Sequence, residues 1–308
     1  MTGRICGTGS FIPEYCMDNE ELSGMVDTSD AWIRERTGIV RRHIARAETV
    51  AFMAAEAGKR ALENAAVEVA KLELIIVATF SAEAVLPSVA CEVQKEIGAK
   101  KAVCFDINAA CTGFLFAYQT AQAYIAAGIY RKILLIGAEK LSSRVDWTDR
   151  GTCILFGDGA GAVVLKAEEG ELLPMCAYSD GESSKALTCR EPELTIKMDG
   201  RRVFEFAVRR VPEAIAEVLE KSQLKKEDIR FFLLHQANER IVAAVAKRLS
   251  VEAERFPMNL SEYGNTSAAS IPILLDELNR SGRLRRGNHL ILAGFGAGLS
   301  WGASLIKW

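Results

Sequence analysis

Histidine is scarce in this 308-residue chain, with three copies, and an excess of charge of either sign is nearly absent. Thirty-eight lysine and arginine residues face forty acidic ones, a formal net charge of −2. That balance excludes a nucleic-acid binder whose affinity rests on neutralising phosphates, although a local basic patch for an acidic partner stays open. None of the eight cysteines forms a C-x-x-C pair or stands at a metal-ligand spacing, so no metal is expected. The opening "MTGRICGTGSFIPEY" lacks the basic and apolar regions of an export signal. A cytoplasmic location is therefore expected, with reduced cysteines serving mostly as small core residues. No G-x-G-x-x-G opens a long βαβ unit, so no dinucleotide cofactor is expected either.

A long uncharged run is present, "FDINAACTGFLFAYQTAQAYIAAG" at 105–128, in which nothing after Asp106 is charged. Asn108, Thr112, Gly113, Gln119, Thr120 and Gln122 make it too polar for a lone membrane span. It predicts a helix over 111–127, buried nearly all round in a large soluble core.

Around that helix the chain alternates. Strand-like apolar runs stand at 72–80, 101–107 and 132–139, and again at 229–236, 254–260 and 288–295. Helical patterns lie between them at 88–98, 111–127, 238–249 and 267–281. Short strands alternating with helices of ten to fifteen residues predict βαβ units and a mainly parallel sheet. Leu74 corresponds to Phe231 and Gly137 to Gly294, both 157 positions apart, which points to an internal duplication. The expected halves are 1–168 and 169–308. Chance coincidence within any alternating α/β chain is the plainer alternative.

Ligand sites in open α/β sheets form beyond the carboxyl ends of the strands. Cys111, His235 and Asn265 all fall at such ends. A cysteine at a helix N-terminus meets free N–H groups and the positive end of the macrodipole, which favour thiolate, and a thiolate attacks thioesters. The plain readings are a core cysteine, a structural histidine ending a strand, and an asparagine helix cap. Taken together, the three residue types can form an acyl-cysteine and donate two hydrogen bonds to a developing enolate or oxyanion. "GFGAGLSWG" (294–302) reads as a tight turn before a last strand at 302–307, with backbone N–H groups free for an oxyanion hole. "FGDGAGAVVL" (156–165) reads as a turn feeding a strand.

At these residues the chain resembles the β-ketoacyl-[acyl-carrier-protein] synthase III family of the thiolase superfamily. The resemblance spans nearly the whole length, through "GTGSFIPE", "DTSDAWIRERTGI", "PSVAC", "AACTGF", "DRGTCILFGDGAGAVVL", "HQANERI", "GNTSAAS" and "GFGAGLSWG". It implies an α/β, five-layered αβαβα thiolase-like fold from two duplicated halves, and a homodimer. It further implies that Cys111 takes an acyl group from acyl-CoA. His235 and Asn265 would then hold the enolate formed by decarboxylation of malonyl-acyl carrier protein. The backbone N–H groups of Cys111 and Ala297 would form the oxyanion hole of the acyl steps. Trp32 and Arg150 match an adenine clamp, Arg36 and Arg240 phosphate contacts, and Thr28, Gly200, Phe204 and Asn238 the CoA tunnel.

Some positions depart from the family pattern. The segment 179–200 looks shorter than usual. Glu205 replaces a lysine thought to meet carrier protein, leaving Arg209, Lys247 and Arg248 as the expected basic face. Leu86 takes the place of a common aromatic that reaches the partner's acyl pocket, and Ala297 that of a glycine whose N–H alone matters. A papain-like cysteine hydrolase shares the Cys, His, Asn order, but its local signature is missing; a related condensing enzyme making an alkylquinolone or polyketide starter is the nearer alternative. A non-catalytic homologue is disfavoured because all three site residues are present.

Overall fold

The computed structural model describes the chain from Met1 to Trp308. It begins with β1 (Thr2–Phe11), β2 (Cys16–Asp18), α1 (Asn19–Ser23), α2 (Asp30–Thr37) and β3 (Arg41–His43). There follow α3 (Val50–Ala65), β4 (Leu74–Ala78), α4 (Val89–Ile97), β5 (Val103–Ile107), α5 (Gly113–Ala126) and β6 (Lys132–Glu139). The middle comprises α6 (Arg150–Cys153), β7 (Gly159–Glu168), β8 (Met175–Ser179), β9 (Leu187–Arg190), β10 (Thr195–Met198) and α7 (Gly200–Ser222). The chain ends with β11 (Ile229–Leu234), α8 (Glu239–Leu249), α9 (Leu260–Tyr263), α10 (Ser270–Arg280), β12 (His289–Gly296) and β13 (Ser300–Lys307).

Five strands make one sheet in the order β1-β7-β6-β4-β5, and four make a second in the order β11-β12-β13-β8. Strands β4, β5 and β6 run parallel, as do β11 and β12; β7 and β13 are the antiparallel members that turn each sheet back. Three apolar clusters set the layers. One joins α3 and α4 to the outer face of the first sheet, and another joins α7 and α8 to the outer face of the second. The third contains α5 and α10 together with residues of both sheets. The stack is therefore helix, sheet, helix, sheet, helix: the five-layered α/β arrangement expected from the sequence.

The repeat is visible in the elements. Strand β6 maps onto β12 residue for residue at the 157-position offset. The 3-10 turns Ala110–Thr112 and Ser267–Ala269, and the starts of α5 and α10, obey the same offset. Even the backbone repeats, because Ala110 (φ 46°) and Ser267 (φ 50°) both adopt the left-handed region. Non-glycine residues rarely hold this conformation, and it tends to persist where surrounding structure fixes it for a function.

One expected strand is missing. Residues 254–260 form no ladder: Ala253–Arg255 is a 3-10 turn and the chain then runs irregularly into α9. Pro257 has no N–H to give a neighbour, and Phe256 instead stacks on Phe232 with ring centroids 4.9 Å apart. The second sheet is accordingly one strand narrower.

Helix α5 is buried between the sheets, and its amides explain how a polar sequence tolerates this. Gln122 accepts from Gly3 N (2.8 Å) and donates to Gly3 O (2.6 Å), tying α5 to β1. Gln119 donates to Cys176 O and Ser304 Oγ, both at 3.0 Å, tying it to β8 and β13. Left unpaired, each buried group would cost roughly 1–3 kcal/mol.

The halves meet closely at Gly137, where an added Cβ would collide with the Ala268 carbonyl. Gly137→Ala should lower the stability by at least roughly 1–3 kcal/mol in chemical denaturation. Gly181→Ala, where a Cβ would meet nothing within 4 Å, should be neutral. Equal stabilities for the two variants would refute a tight seam at this point.

Candidate active site

Cys111 lies in the middle of the 3-10 turn, and α5 begins at Gly113, two residues later than the predicted helix start. The left-handed Ala110 breaks the path from β5 and presents Cys111 to a cavity of about 340 Å³. Phe80, Phe156, Leu187, Leu194 and Ile196 give this cavity apolar walls, while Arg144 and Asn108 add polar groups. Ala297 lines it too. Its neighbour Gly296 approaches so closely that a Cβ there would stand 3.0 Å from Cys111 N. The two backbone segments expected to form an oxyanion hole are thus adjacent.

His235 continues the β11 ladder by one bond, from its N–H to Ala293 O at 2.8 Å. Its ring lies edge-on to Phe295, and its Nδ1 sits 2.8 Å from Ser270 Oγ. Asn265 N donates to Leu155 O (2.8 Å), and its Oδ1 accepts from Ser267 N (2.8 Å). Neither residue is among those lining the cavity surface; both are buried. The segment Asn265–Ser270 links the three predicted residues: Ser267 lines the cavity with Cys111 and its N–H holds Asn265 Oδ1, while Ser270 Oγ meets His235 Nδ1.

Electrostatics bear on the thiol and the imidazole in opposite senses. Burial pushes the Cys111 thiol up to about 12, although the nearby Ser267 hydroxyl opposes this. Burial thus works against the thiolate that the helix N-terminus favours. Burial also holds His235 down to about 3, so its imidazole is neutral at physiological pH. Ser270 Oγ lies 2.8 Å from both Nδ1 and Ser267 O and has one proton to give. When that proton points to Nδ1, the ring carries Nε2–H and is a donor.

The residues matched to CoA binding gather on α2, α6, α7 and α8. The Arg150 guanidinium sits 4.9 Å from the Trp32 ring centroid, and that of Arg36 5.5 Å. A base sandwiched by Trp32 and Arg150 needs about 7 Å between them, two van der Waals contacts, so the pair must part to admit it. Thr28 Oγ1 is buried without a partner. Asn238 caps α8 through Arg240 N (2.8 Å) and donates to Arg36 O (2.9 Å). The Arg240 guanidinium lies 5.8 Å from the Phe204 ring, and Gly200 opens α7 with only the Met198 methyl near it.

Arg209 and Arg248 line one surface cleft with Arg202, whereas Lys247 is exposed outside it. Glu205 in that cleft is paired with Arg201 at 2.8 Å, which offsets its charge. Leu86 is 83% exposed and lines no part of the chain's own cavity. The segment 179–200 supplies the β9–β10 hairpin, whose Leu187, Thr188, Cys189, Leu194 and Ile196 roof the cavity.

Two residues in the site escaped the sequence reading. Ser267 was visible only as part of "GNTSAAS". Glu139 ends the apolar run "KILLIGAE", and an acid closing a buried strand was the available signal. Cys16, His43 and Glu262 also bring ligand-type atoms within 4.8 Å of one another on the β2–β3 hairpin and α9. His43 Nδ1 is spent on Pro13 O, and the group shares no residue with the cavity.

Known proteins resemble the chain over nearly its whole length. The family model for 3-oxoacyl-[acyl-carrier-protein] synthase III matches residues 105–181, and the model for its C-terminal part matches residues 219–308. A β-ketoacyl-[acyl-carrier-protein] synthase III of Clostridium acetobutylicum is 46% identical over 319 aligned residues, covering 99% of this chain and 98% of the relative. The crystal structure of the Aquifex aeolicus 3-oxoacyl-[acyl-carrier-protein] synthase III superposes with a TM-score of 0.97 at 44% identity, covering 99% and 100% of the two chains. The priming β-ketosynthase of a polyketide pathway superposes at 0.95 with 35% identity, covering 99% and 96%. By these matches over nearly its whole length, the chain belongs to the 3-oxoacyl-[acyl-carrier-protein] synthase III family.

Proposed function

We propose that the protein condenses an acyl-CoA primer with malonyl-acyl carrier protein, initiating type II fatty-acid synthesis. The observation that carries this reading is the Cys111 thiol on a cavity with apolar walls, next to the segment Asn265–Ser270 that holds a neutral histidine and an asparagine. Cys111 attacks the acyl-CoA thioester and CoA leaves. Malonyl-acyl carrier protein then enters, and His235 Nε2–H and Asn265 Nδ2–H hold the thioester oxygen while carbon dioxide departs. The resulting enolate attacks the acyl-cysteine, whose oxyanion lies against Cys111 N and Ala297 N. A neutral imidazole suits this role, because two preorganised donors stabilise developing charge without a proton transfer. The test is incubation with acyl-CoA followed by peptide mass analysis: one acyl group should appear, on Cys111.

The nucleotide end of CoA is assigned to Trp32, Arg150, Arg36 and Arg240, and its tunnel to Thr28, Gly200, Phe204 and Asn238. Trp32→Ala and Arg150→Ala should each raise the KM for acyl-CoA by roughly tenfold, the loss of a partly desolvated cation–π or stacking contact. Their KM for malonyl-acyl carrier protein should not move. Unchanged acyl-CoA dependence would remove the clamp.

Arg209, Lys247 and Arg248 are assigned to the acidic carrier. The halves 1–168 and 169–308 are taken as the two repeated units, since every strand of each sheet comes from one of them. A cytoplasmic homodimer without metal or organic cofactor completes the reading. Support for the dimer comes from β5, an edge strand with Val103 exposed, and from Val85 and Leu86 standing free beside it. Sedimentation at low concentration measures this directly.

A polyketide-priming role is the second reading, favoured by the 35% identical priming ketosynthase. Competition among acetyl-, isobutyryl- and longer acyl-CoA primers separates the two.

A further inference from the structure

Glu139 is fully buried at the end of β6 and has no part in the steps above. Its two oxygens are unequally occupied. Oε2 accepts from Thr79 Oγ1 (3.1 Å), Phe80 N (3.3 Å), Ser81 N (3.2 Å) and Ser81 Oγ. Oε1 accepts only from Ser267 Oγ, at 3.2 Å. Ser267 in turn lines the same cavity as Cys111 and favours ionisation of its thiol. A thiol, a hydroxyl and a carboxylate therefore stand in series from the cavity into the protein.

We propose that Glu139 accepts the Cys111 proton through the Ser267 hydroxyl during attack on a thioester, so that the thiol is activated by a relay from the other side of the turn. This rests on Cys111 being the acylated nucleophile. As sulfur bonds to the thioester carbonyl, the S–H bond breaks and its proton passes to Ser267 Oγ. Ser267 releases its own hydroxyl proton to Glu139 Oε1. The carbon–sulfur bond to CoA then breaks, and the departing CoA thiolate takes a proton back along the same path, restoring the carboxylate.

Three observations support this direction of transfer. Burial holds His235 near 3, a poor proton acceptor, but raises Glu139 to about 7. The Glu139 charge also opposes ionisation of Cys111. Passing the proton moves one negative charge from carboxylate to sulfur and adds none to the buried site, whereas ionisation to solvent would bury a second. No cation quenches Glu139. Lys140 Nζ is on Glu48 O (2.8 Å), Arg144 Nη2 is on Ala82 O (2.8 Å), and Asp158 is engaged by Ala45 N (2.7 Å) and Ser142. Cys189 feels the carboxylate but belongs to the roof.

The test is the rate of Cys111 carbamidomethylation by iodoacetamide, followed by peptide mass analysis from pH 5.5 to 9.5, which needs neither CoA nor carrier protein. In the wild type the rate should rise through about pH 7 as Glu139 becomes available to accept. Glu139→Gln keeps four acceptor bonds on its amide oxygen and gives Ser267 an N–H, so the fold is preserved. Ser267→Ala places at φ 50° a residue type that Ala110 already holds at φ 46°. Each variant should lose the inflection near pH 7 and slow alkylation at pH 8 by roughly a hundredfold. The double variant should be no slower than either single one, because both cut one path. An inflection retained in Glu139→Gln, or defects that multiply in the double variant, would overturn the relay. If alkylation behaves as expected and acyl-CoA still fails to load Cys111, the acyltransferase reading falls and the relay stands.

Discussion

Cys111→Ala is expected to abolish acyl loading and to lower condensation by at least about 10³-fold, the usual scale for removing a covalent nucleophile. The substitution removes one sulfur from a turn whose backbone is set by Ala110 and the start of α5, so the fold should survive. The informative control lies in the same cavity. Cys189 lines the roof only a short distance along the wall, and burial raises its thiol as well. Peptide mapping of the acylated wild type should place the group on Cys111 and leave Cys189 free. An intact Cys111→Ala protein that still gains one acyl mass would transfer the nucleophile to the hairpin and dismantle the mechanism.

His235→Ala should separate the two half-reactions. Acyl transfer, which the histidine does not serve as base, should stay within a few-fold of wild type. Malonyl decarboxylation should fall by roughly 10²–10³, the effect of deleting one preorganised donor to a developing oxyanion. Because burial holds the ring near 3, it gains no proton between pH 5 and 9. Any pH dependence of decarboxylation in that range must come from another group. Equal losses in both half-reactions would contradict this division of labour.

How much of this was legible beforehand depended on the range of the interaction. Strand β6 and its repeat β12 were readable because a buried parallel strand is an uninterrupted apolar run. Residues 254–260 misled for the same reason, since "RFPM" looks like such a run until Pro257 and the Phe256–Phe232 stack are placed. Cys111, His235 and Asn265 stood out through local motifs and the 157-position repeat. The burial that opposes ionisation of Cys111 did not, because helix position is a local property and desolvation is set by the whole surrounding core. The Glu139–Ser267 contact spans 128 positions and joins one half to the other, which no local pattern encodes.

The middle layer has a consequence for the handling of the molecule. Helices α5 and α10 are each sandwiched between the two sheets, so neither repeat can hide its inner surface without the other. A lone repeat would leave that apolar surface open to water. Cutting the linker after β7 should accordingly yield fragments that aggregate apart and regain solubility only when mixed.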